Sequence, residues 1–186
     1  LIGHEGHPEV EGTMGRHINN DNSSIYLVQN ENDANSIKLN KKNELAVVTQ
    51  TTLSVDETKS IISILRDRFP KIITPKKDDI CYATQNRQDA VKQLALESDF
   101  MIVVGSKNSS NSNRLKELGE NCGCKSVLID EFDDLDLDVI KKFSRISITA
   151  GASAPESKVM EIAQSLESYI GAEILEYGED LSLIHI

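Results

Sequence analysis

The chain has 186 residues, a length that suits one large domain or two small ones, each able to bury a hydrophobic core. Its composition, 39% hydrophobic and 27% charged, is close to that of average globular proteins and excludes a wholly disordered chain. The net charge of −10 argues against nucleic acid or an anionic membrane as a partner, and no apolar run reaches the length that a membrane span needs.

Short apolar runs alternate with amphipathic helical patterns along the chain. The predicted strands are, in order, Ile25–Val28, Leu45–Thr49, Phe100–Val104, Ser126–Ile129 and Ile146–Thr149. The predicted helices are Ser54–Phe69, Arg87–Glu97, Asn113–Asn121 and Ala154–Ile170. Strands without polar alternation, separated by helices, are typical of parallel sheets covered on both faces. We therefore predict an α/β fold with two α/β domains, each a parallel sheet flanked by helices.

The domain boundary is expected where composition changes, in the polar, proline-containing stretch at residues 74–79. This stretch separates a first domain, residues 1–77, from a second that begins at residue 78. The last six residues, 181–186, spell the peptide that a common sequencing adapter encodes when translated, so we expect a non-native tail there. The alternative for this tail is a short C-terminal strand.

Two loops rich in hydroxyl and amide side chains follow predicted strands and lead into predicted helices. They are residues 105–113 and residues 149–156. Ligands of open parallel sheets bind at such positions, where backbone N–H groups and the helix dipole favour an anion. With Lys107 as their only cation, the loops suit a phosphate ester held by neutral donors. The alternative is that residues 109–112 are only caps and turn residues, and that Ser153 with Glu156 is only a capping box.

His7 and Glu9 flank a proline that fixes the backbone between them. A histidine beside a carboxylate can relay protons near neutral pH, but an isolated His-Pro-Glu is also typical of a surface turn. Glu11 is a competing carboxylate that the spacing does not exclude.

The three cysteines, an odd and sparse count, do not make a disulfide framework and indicate a reducing compartment, where thiols are free or bind metal. Cys81 precedes a predicted helix, where a thiolate is favoured as a nucleophile or metal ligand; the alternative is a small buried hydrophobe. We expect Asp78 and Asp79 beside it to face solvent. Cys122 and Cys124 form a C-x-C pair with no second pair nearby, a weak signal for metal.

Five motifs in the chain resemble the 4-hydroxy-3-methylbut-2-enyl diphosphate reductase family of isoprenoid biosynthesis. They are GHPEVEGT at residues 6–13, TQTTLS at 49–54, DICYAT at 79–84, SKNSSNSN at 106–113 and TAGASAPE at 149–156. The resemblance runs from Gly3 to about Tyr177 in the family's order and spacing. It implies an iron–sulfur oxidoreductase that removes a hydroxyl from an allylic diphosphate as water and gives isopentenyl and dimethylallyl diphosphate.

The resemblance also implies the cofactor and the site residues. The family has three α/β domains in a pseudo-threefold arrangement around a 4Fe-4S cluster held by three cysteines, of which Cys81 would be one. Glu9 and Thr51 would be catalytic, as proton donor and relay. The residues that would bind the substrate are His7, Thr51, Ser109, Ser110, Asn111 and Ser153. Ferredoxin or flavodoxin would supply electrons, in a bacterial cytoplasm or a plastid.

One departure from the family concerns what this sequence lacks. The first domain and the opening of the second are absent, and with them two cluster cysteines. Residues 1–77 and 78–165 would then be the second and third domains, and residues 166–180 would return towards the missing first one. Because one thiolate cannot hold such a cluster, the isolated chain is expected to be inactive. Two alternatives remain, a phosphoester hydrolase or transferase without redox chemistry and a non-catalytic phosphate-binding module.

Overall fold

The computed structural model describes residues 1–17, 23–40, 44–75, 79–171 and 173, so the predicted tail at 181–186 lies outside the described residues. The chain divides into two compact units, Leu1–Gln85 and Asn86–Ile186, called here the first and second unit. The domain boundary predicted after residue 77 stays a prediction. Within the described residues, no helix has both the length and the apolar character that crossing a membrane requires.

Seven α-helices lie in the described part of the chain. In chain order they are α1 (Pro8–Arg16), α2 (Glu31–Ser36), α3 (Val55–Arg68), α4 (Tyr82–Glu97), α5 (Ser110–Asn121), α6 (Leu137–Ile140) and α7 (Glu156–Ile170). A short 3-10 turn covers Phe132–Asp134. Helix α3 matches its prediction closely, since the Ser54 side chain caps it by accepting a hydrogen bond from the N–H of Glu57 at 3.4 Å.

The second unit contains a three-stranded parallel sheet that confirms three predicted strands. Its strands are β1 (Phe100–Val104), β2 (Lys125–Ile129) and β3 (Ile146–Ala150), in the spatial order β2-β1-β3. Phe100 pairs with Lys125 on one side and with Ile146 on the other. Each crossover between parallel strands is filled by helix, as the alternating sequence pattern requires.

Strand β1 is buried along its whole length because helices cover both faces of the sheet. On one face Phe100, Ile102 and Val104 pack in a cluster with α7. On the other face Met101 and Val103 pack in a cluster that contains residues of α4 and α5. The chain therefore has the predicted α/β fold with a parallel sheet flanked by helices.

The first unit has parallel pairing as well, but only as isolated bridges. Ile2 bridges to Val28 and to Thr49, and Ala46 bridges to Ile73. The runs predicted as strands at residues 25–28 and 45–49 thus take part without forming continuous ladders. Apolar residues beside these bridges pack against Ile61 and Leu65 of α3 and against Phe69, which caps that helix. The other buried residues of this core are Ile2, Val28, Ala34, Val47, Leu53 and Ile80.

Three helix starts differ from their predictions. Helix α4 begins at Tyr82 rather than Arg87. The sequence pattern did not reveal this start because two buried positions near it, Thr84 and Gln88, are polar and therefore show no apolar periodicity. Helix α5 begins at Ser110 rather than Asn113. Helix α7 begins at Glu156 with Pro155 at its N-cap and no side-chain cap, so the capping box of Ser153 with Glu156 is wrong.

Candidate active site

The motif of His7 and Glu9 is the beginning of helix α1, so the alternative of a surface turn is wrong. His7 is the N-cap, and its Nδ1 accepts a hydrogen bond from the N–H of Glu9 at 3.2 Å. Pro8 occupies the first helical position, where its fixed φ favours the helix and its missing N–H costs nothing. The local sequence therefore fixes both side chains on one helical turn.

Glu9 is linked to Thr51 across 42 residues of sequence. The N–H of Thr51 donates to the Glu9 carboxylate, at 3.2 Å from Oε2 and 3.4 Å from Oε1. The competing carboxylate, Glu11, points elsewhere, since its Oε1 accepts from the N–H of Gly6 at 3.1 Å. The structure thus brings Glu9 together with Thr51, whereas the Glu11 carboxylate bonds to the turn before α1.

Cys81 is connected to the same threonine through the main chain. Its N–H donates to the carbonyl oxygen of Thr51 at 3.3 Å, and its Sγ lies 3.0 Å from Thr84 Oγ1. The side chain is exposed, which contradicts the alternative of a small buried hydrophobe. Cys81 directly precedes the first residue of α4, Tyr82. One residue, Thr51, therefore joins the candidate proton donor and the candidate metal ligand.

Asp79 does not face solvent as expected. Its half-buried carboxylate accepts a hydrogen bond from the N–H of Thr49 at 3.1 Å, which ties the segment before Cys81 to the bridge at Thr49. Asp78 lies outside the described residues. The carboxylate of Asp79 is thus committed to the backbone of the first unit.

Sequence reasoning missed Gln50, which is 1% exposed and holds two loops of the first unit. Its Oε1 accepts from the N–H of His4 at 3.1 Å, and its Nε2 donates to Thr52 Oγ1 at 3.0 Å. These bonds connect the segment leading into α1 with the segment that carries Thr51. Its position directly after a strand-like run was the only signal available, because nothing in the sequence marks a glutamine as buried.

In the second unit the two predicted phosphate loops lie at the same edge of the sheet. Gly105 follows β1 and donates its N–H to the Ile129 carbonyl at 2.8 Å, and Gly151 follows β3 and donates to the Val104 carbonyl at 2.9 Å. Helix α5 begins between them, with Ser109 as N-cap accepting from the N–H of Ser112. Both loops thus converge on the N-terminus of one helix.

Asn111, in the first turn of α5, is buried with its side chain unused. It is 5% exposed, and neither Oδ1 nor Nδ2 has a hydrogen-bond partner. Buried amides without partners are rare in proteins because each unsatisfied polar group is costly. Ser110 follows the cap at the start of the helix, and Ser153 is exposed in the loop after β3. Ser109 is confirmed as a cap.

Comparison with known proteins supports the sequence resemblance. The profile of the LytB protein family matches residues 1–167, most of the chain. The chain belongs to the LytB protein family. The match covers the whole of the first unit and residues 86–167 of the second, and it includes every candidate site residue discussed above.

Relatives of this LytB family member include 4-hydroxy-3-methylbut-2-enyl diphosphate reductases from Saccharophagus degradans and Pseudomonas putida. The first is 57% identical over 172 residues, which are 92% of this chain and 55% of the relative. The second is 56% identical over 182 residues, which are 97% of this chain and 58% of the relative. The chain thus spans little more than half the length of these relatives.

A solved structure is similar as well. The E-1-hydroxy-2-methyl-but-2-enyl-4-diphosphate reductase from Plasmodium falciparum aligns with a TM-score of 0.82 at 35% sequence identity. The alignment covers 89% of this chain and 51% of that protein. The α/β fold with its three-stranded parallel sheet is therefore that of the reductase.

Membership of the LytB family implies an iron–sulfur cluster, and the described residues fit one part of its ligand set. Cys81 is exposed, free and placed at a helix start, as a ligand must be. No group of three or more histidine, cysteine, aspartate or glutamate side chains in the described ranges could hold a metal ion. Cys124 is buried, and burial together with Asp99 and Cys122 raises the pKa of its thiol, which disfavours a thiolate. A complete cluster site therefore needs ligands beyond those that the described residues provide.

Arg87 is a second residue that sequence reasoning missed. Its Nε donates to the carbonyl oxygen of Ala150 at 2.9 Å, directly before the loop that contains Ser153. The bond ties α4 to the end of β3 and so steadies that loop. Its sequence signal is weak, because an arginine two turns into a helix is usually a solvent-facing residue.

Proposed function

We propose that the longer protein of which this chain is a part reduces 4-hydroxy-3-methylbut-2-enyl diphosphate to isopentenyl and dimethylallyl diphosphate. The relatives with this activity are more than half identical to the chain over most of its length. The observation that carries the proposal is the connection of Glu9 and Cys81 through Thr51. Glu9, the proposed proton donor, accepts from the N–H of Thr51, and Cys81, the proposed metal ligand, donates its N–H to the carbonyl oxygen of Thr51. Holding these two residues at one position suits a reduction that also consumes protons.

The diphosphate is proposed to bind at the N-terminus of α5 in the second unit. Ser109, Ser110 and Asn111 are at that terminus, and Ser153 lies in the neighbouring loop. The unused amide of Asn111 supplies a donor that phosphate oxygens can accept from. The positive end of the helix dipole adds to the attraction for the anion.

In the first unit, His7 is proposed to bind the diphosphate and Glu9 to deliver protons. Since Nδ1 of His7 accepts from the N–H of Glu9, the neutral ring carries its proton on Nε2, which is a donor for a phosphate oxygen. The backbone N–H of Thr51 orients the Glu9 carboxylate. This leaves the hydroxyl of Thr51 to contact the substrate hydroxyl and pass protons to it from Glu9.

Cys81 is proposed to be one of three cysteine ligands of a 4Fe-4S cluster, the other two coming from the part of the protein outside this chain. Such a cluster, once bound, supplies the electrons for the reduction, which reach it from ferredoxin or flavodoxin. Three α/β domains would surround it, with residues 1–77 in the second, residues 78–165 in the third and residues 166–180 leading back to the first. The setting would be a bacterial cytoplasm or a plastid.

The test is an anaerobic assay of the full-length protein with 4-hydroxy-3-methylbut-2-enyl diphosphate and a reduced one-electron dye. The expected result is consumption of the dye with release of isopentenyl and dimethylallyl diphosphate, and no inorganic phosphate. Release of phosphate or diphosphate without dye oxidation would instead indicate a hydrolase or transferase. Binding of the substrate without any reaction in cluster-loaded protein would indicate a non-catalytic module.

A further inference from the structure

The side chain of Ser112 occupies a gap between two glycines that end neighbouring strands. A Cβ built on Gly105 would lie 2.3 Å from Ser112 Oγ, and one built on Gly151 would lie 2.1 Å from it. Real Cβ atoms do not approach another atom so closely. Only glycine at both positions therefore lets the two loops close around this hydroxyl.

The hydroxyl of Ser112 fills the space between the two glycines and makes no hydrogen bond there. The residue is fully buried, and its Oγ has no hydrogen-bond partner. Its backbone N–H donates to Ser109 Oγ, which anchors it to the cap of α5. Gly105 and Gly151 are held by their own hydrogen bonds to Ile129 and Val104, so neither can move away without breaking the edge of the sheet.

We propose that Ser112 is a positioning residue of the diphosphate site: it sets the spacing between the loop after β1 and the loop after β3. Asn111 directly precedes it on α5, and Ser153 lies two residues beyond Gly151. The spacing that Ser112 fixes therefore decides whether both side chains reach the same anion. This inference rests on the proposed function, because it takes the ligand at the start of α5 to be a diphosphate.

The test uses inorganic diphosphate as the probe and isothermal titration calorimetry of the full-length, cluster-loaded protein. Gly151→Ala places a methyl group against Ser112 Oγ and is expected to raise Kd about tenfold or more, equivalent to one lost hydrogen bond to a charged group. Adding Ser112→Ala removes the oxygen and leaves a tight Cβ contact of 3.3 Å, so the double variant should recover most of the lost affinity.

Gly119→Ala is the matched control, because it creates the same kind of clash on the same helix, away from the loops. Its Cβ would lie 2.4 Å from Ser126 Oγ. We expect a lower melting temperature and an unchanged Kd for inorganic diphosphate. A merely structural role for the glycine–serine gap predicts instead that Gly119→Ala and Gly151→Ala weaken binding equally.

The outcomes separate this inference from the proposed function. Wild-type protein that binds no inorganic diphosphate would overturn the diphosphate site, and this inference with it. Wild-type protein that binds, together with a Gly151→Ala variant of unchanged Kd, would overturn the inference alone. If Gly151→Ala does not fold, a double variant that folds and binds supports the inference, and one that stays unfolded or folds without binding overturns it.

Discussion

The two units of this chain build parallel structure in different ways. In the second unit, a continuous apolar strand, β1, pairs along its whole length with β2 and β3. In the first unit, the pairing is reduced to isolated bridges, and polar side chains such as Gln50 and Asp79 hold the connecting segments. In the second unit, the polar loops that follow the regularly paired strands β1 and β3 lie at the N-terminus of α5. Isolated bridges leave main-chain groups free to orient functional side chains.

This difference matches the tasks that we propose for the two units. The first unit orients Glu9 and Cys81 through the peptide groups of Thr51, so it carries the residues of the reaction. The second unit offers Asn111 and its neighbours at the start of α5, so it carries the residues that bind the anion. Substitution of Glu9 in the first unit should then change turnover, and substitution of Asn111 in the second should change affinity.

The largest effect is expected from Cys81→Ser in the full-length protein. A serine hydroxyl does not replace a thiolate as an iron ligand, so the cluster and the activity should be lost. The far-ultraviolet circular dichroism should remain that of an α/β protein, since the described sheet is covered by helices and packs without metal. Cys122→Ser is the control, and it should keep the cluster absorbance and the activity. Full cluster content in Cys81→Ser would contradict the ligand assignment.

Glu9→Gln is expected to lower kcat by about 10²-fold or more, because the amide keeps an oxygen for the N–H of Thr51 but supplies no proton. KM should change little. Steady-state kinetics with the allylic diphosphate and a reduced dye measure both. Glu11→Gln is the matched control, since that carboxylate accepts from Gly6 instead. A silent Glu9→Gln beside an impaired Glu11→Gln would mean that the proton donor is misassigned.

Asn111→Ala is expected to weaken substrate binding about ten- to hundredfold, the usual effect of removing one hydrogen bond to a charged group. The cluster spectrum should be unchanged, and Ser153→Ala should behave similarly. Anaerobic calorimetry with the substrate gives the dissociation constants. Asn121→Ala, at the other end of α5, is the control and should bind like the wild type. Unchanged binding in both Asn111→Ala and Ser153→Ala would remove the diphosphate assignment.

Gln50→Leu should lower the free energy of unfolding by about 1–3 kcal/mol, because the part-buried N–H of His4 loses the acceptor that the buried Gln50 side chain provides. Gln50→Glu keeps that acceptor oxygen and should show whether the donor to Thr52 matters separately. Urea unfolding followed by circular dichroism measures the difference. Gln29→Leu removes an acceptor for the exposed N–H of Glu5 and should cost less. Equal losses for Gln50→Leu and Gln29→Leu would show that burial of the bond is unimportant.

The smallest effect concerns Asp134, in the turn after β2. Hydrogen bonds from the N–H groups of Asp130 and Glu131 lower the pKa of its carboxyl, and Lys107 contributes. A carboxyl whose pKa is lower in the folded state stabilises the fold above its unfolded pKa of about 3.9, and this contribution disappears as the pH falls through the folded value. Asp134→Asn should therefore reduce the melting temperature at pH 7, and the difference from the wild type should shrink in acid.

Asp133→Asn is the control for that pH series, because it removes a neighbouring charge without removing those backbone hydrogen bonds. Differential scanning calorimetry of the metal-free protein follows both variants. A difference for Asp134→Asn that grows as the pH falls would contradict the assigned direction.

Sequence alone predicted continuous strands and periodic helices better than the bridged segments of the first unit, and the reason is physical. A buried parallel strand such as Phe100–Val104 is a continuous apolar run, and a helix such as α3 has both a periodic face and a capping serine. Isolated bridges held by main-chain and polar side-chain hydrogen bonds produce neither pattern in the sequence, so the buried, structural role of Gln50 was not predicted. The start of α4 was missed because its buried face begins with Thr84 and Gln88.

The candidate site was predicted residue by residue only through the family resemblance. Residue chemistry alone indicated an anion at the start of α5 but left open whether Glu9 or Glu11 was the relevant carboxylate. The hydrogen bond from Thr51 to Glu9 favours the first, and no spacing rule contains it, because it joins residues 42 positions apart. The gap filled by Ser112 depends on two glycines that only the folded sheet brings together.

The most direct test of the separate tasks is a double-mutant cycle in kcat/KM with Glu9→Gln, Asn111→Ala and the combined variant. If the first residue acts in proton delivery and the second in binding, their effects on the activation free energy should add to within about 0.5 kcal/mol. Glu9→Gln should lower kcat alone, and Asn111→Ala should raise Kd alone. A coupling well above 1 kcal/mol, or a Glu9→Gln variant that loses affinity as strongly as Asn111→Ala, would contradict the account.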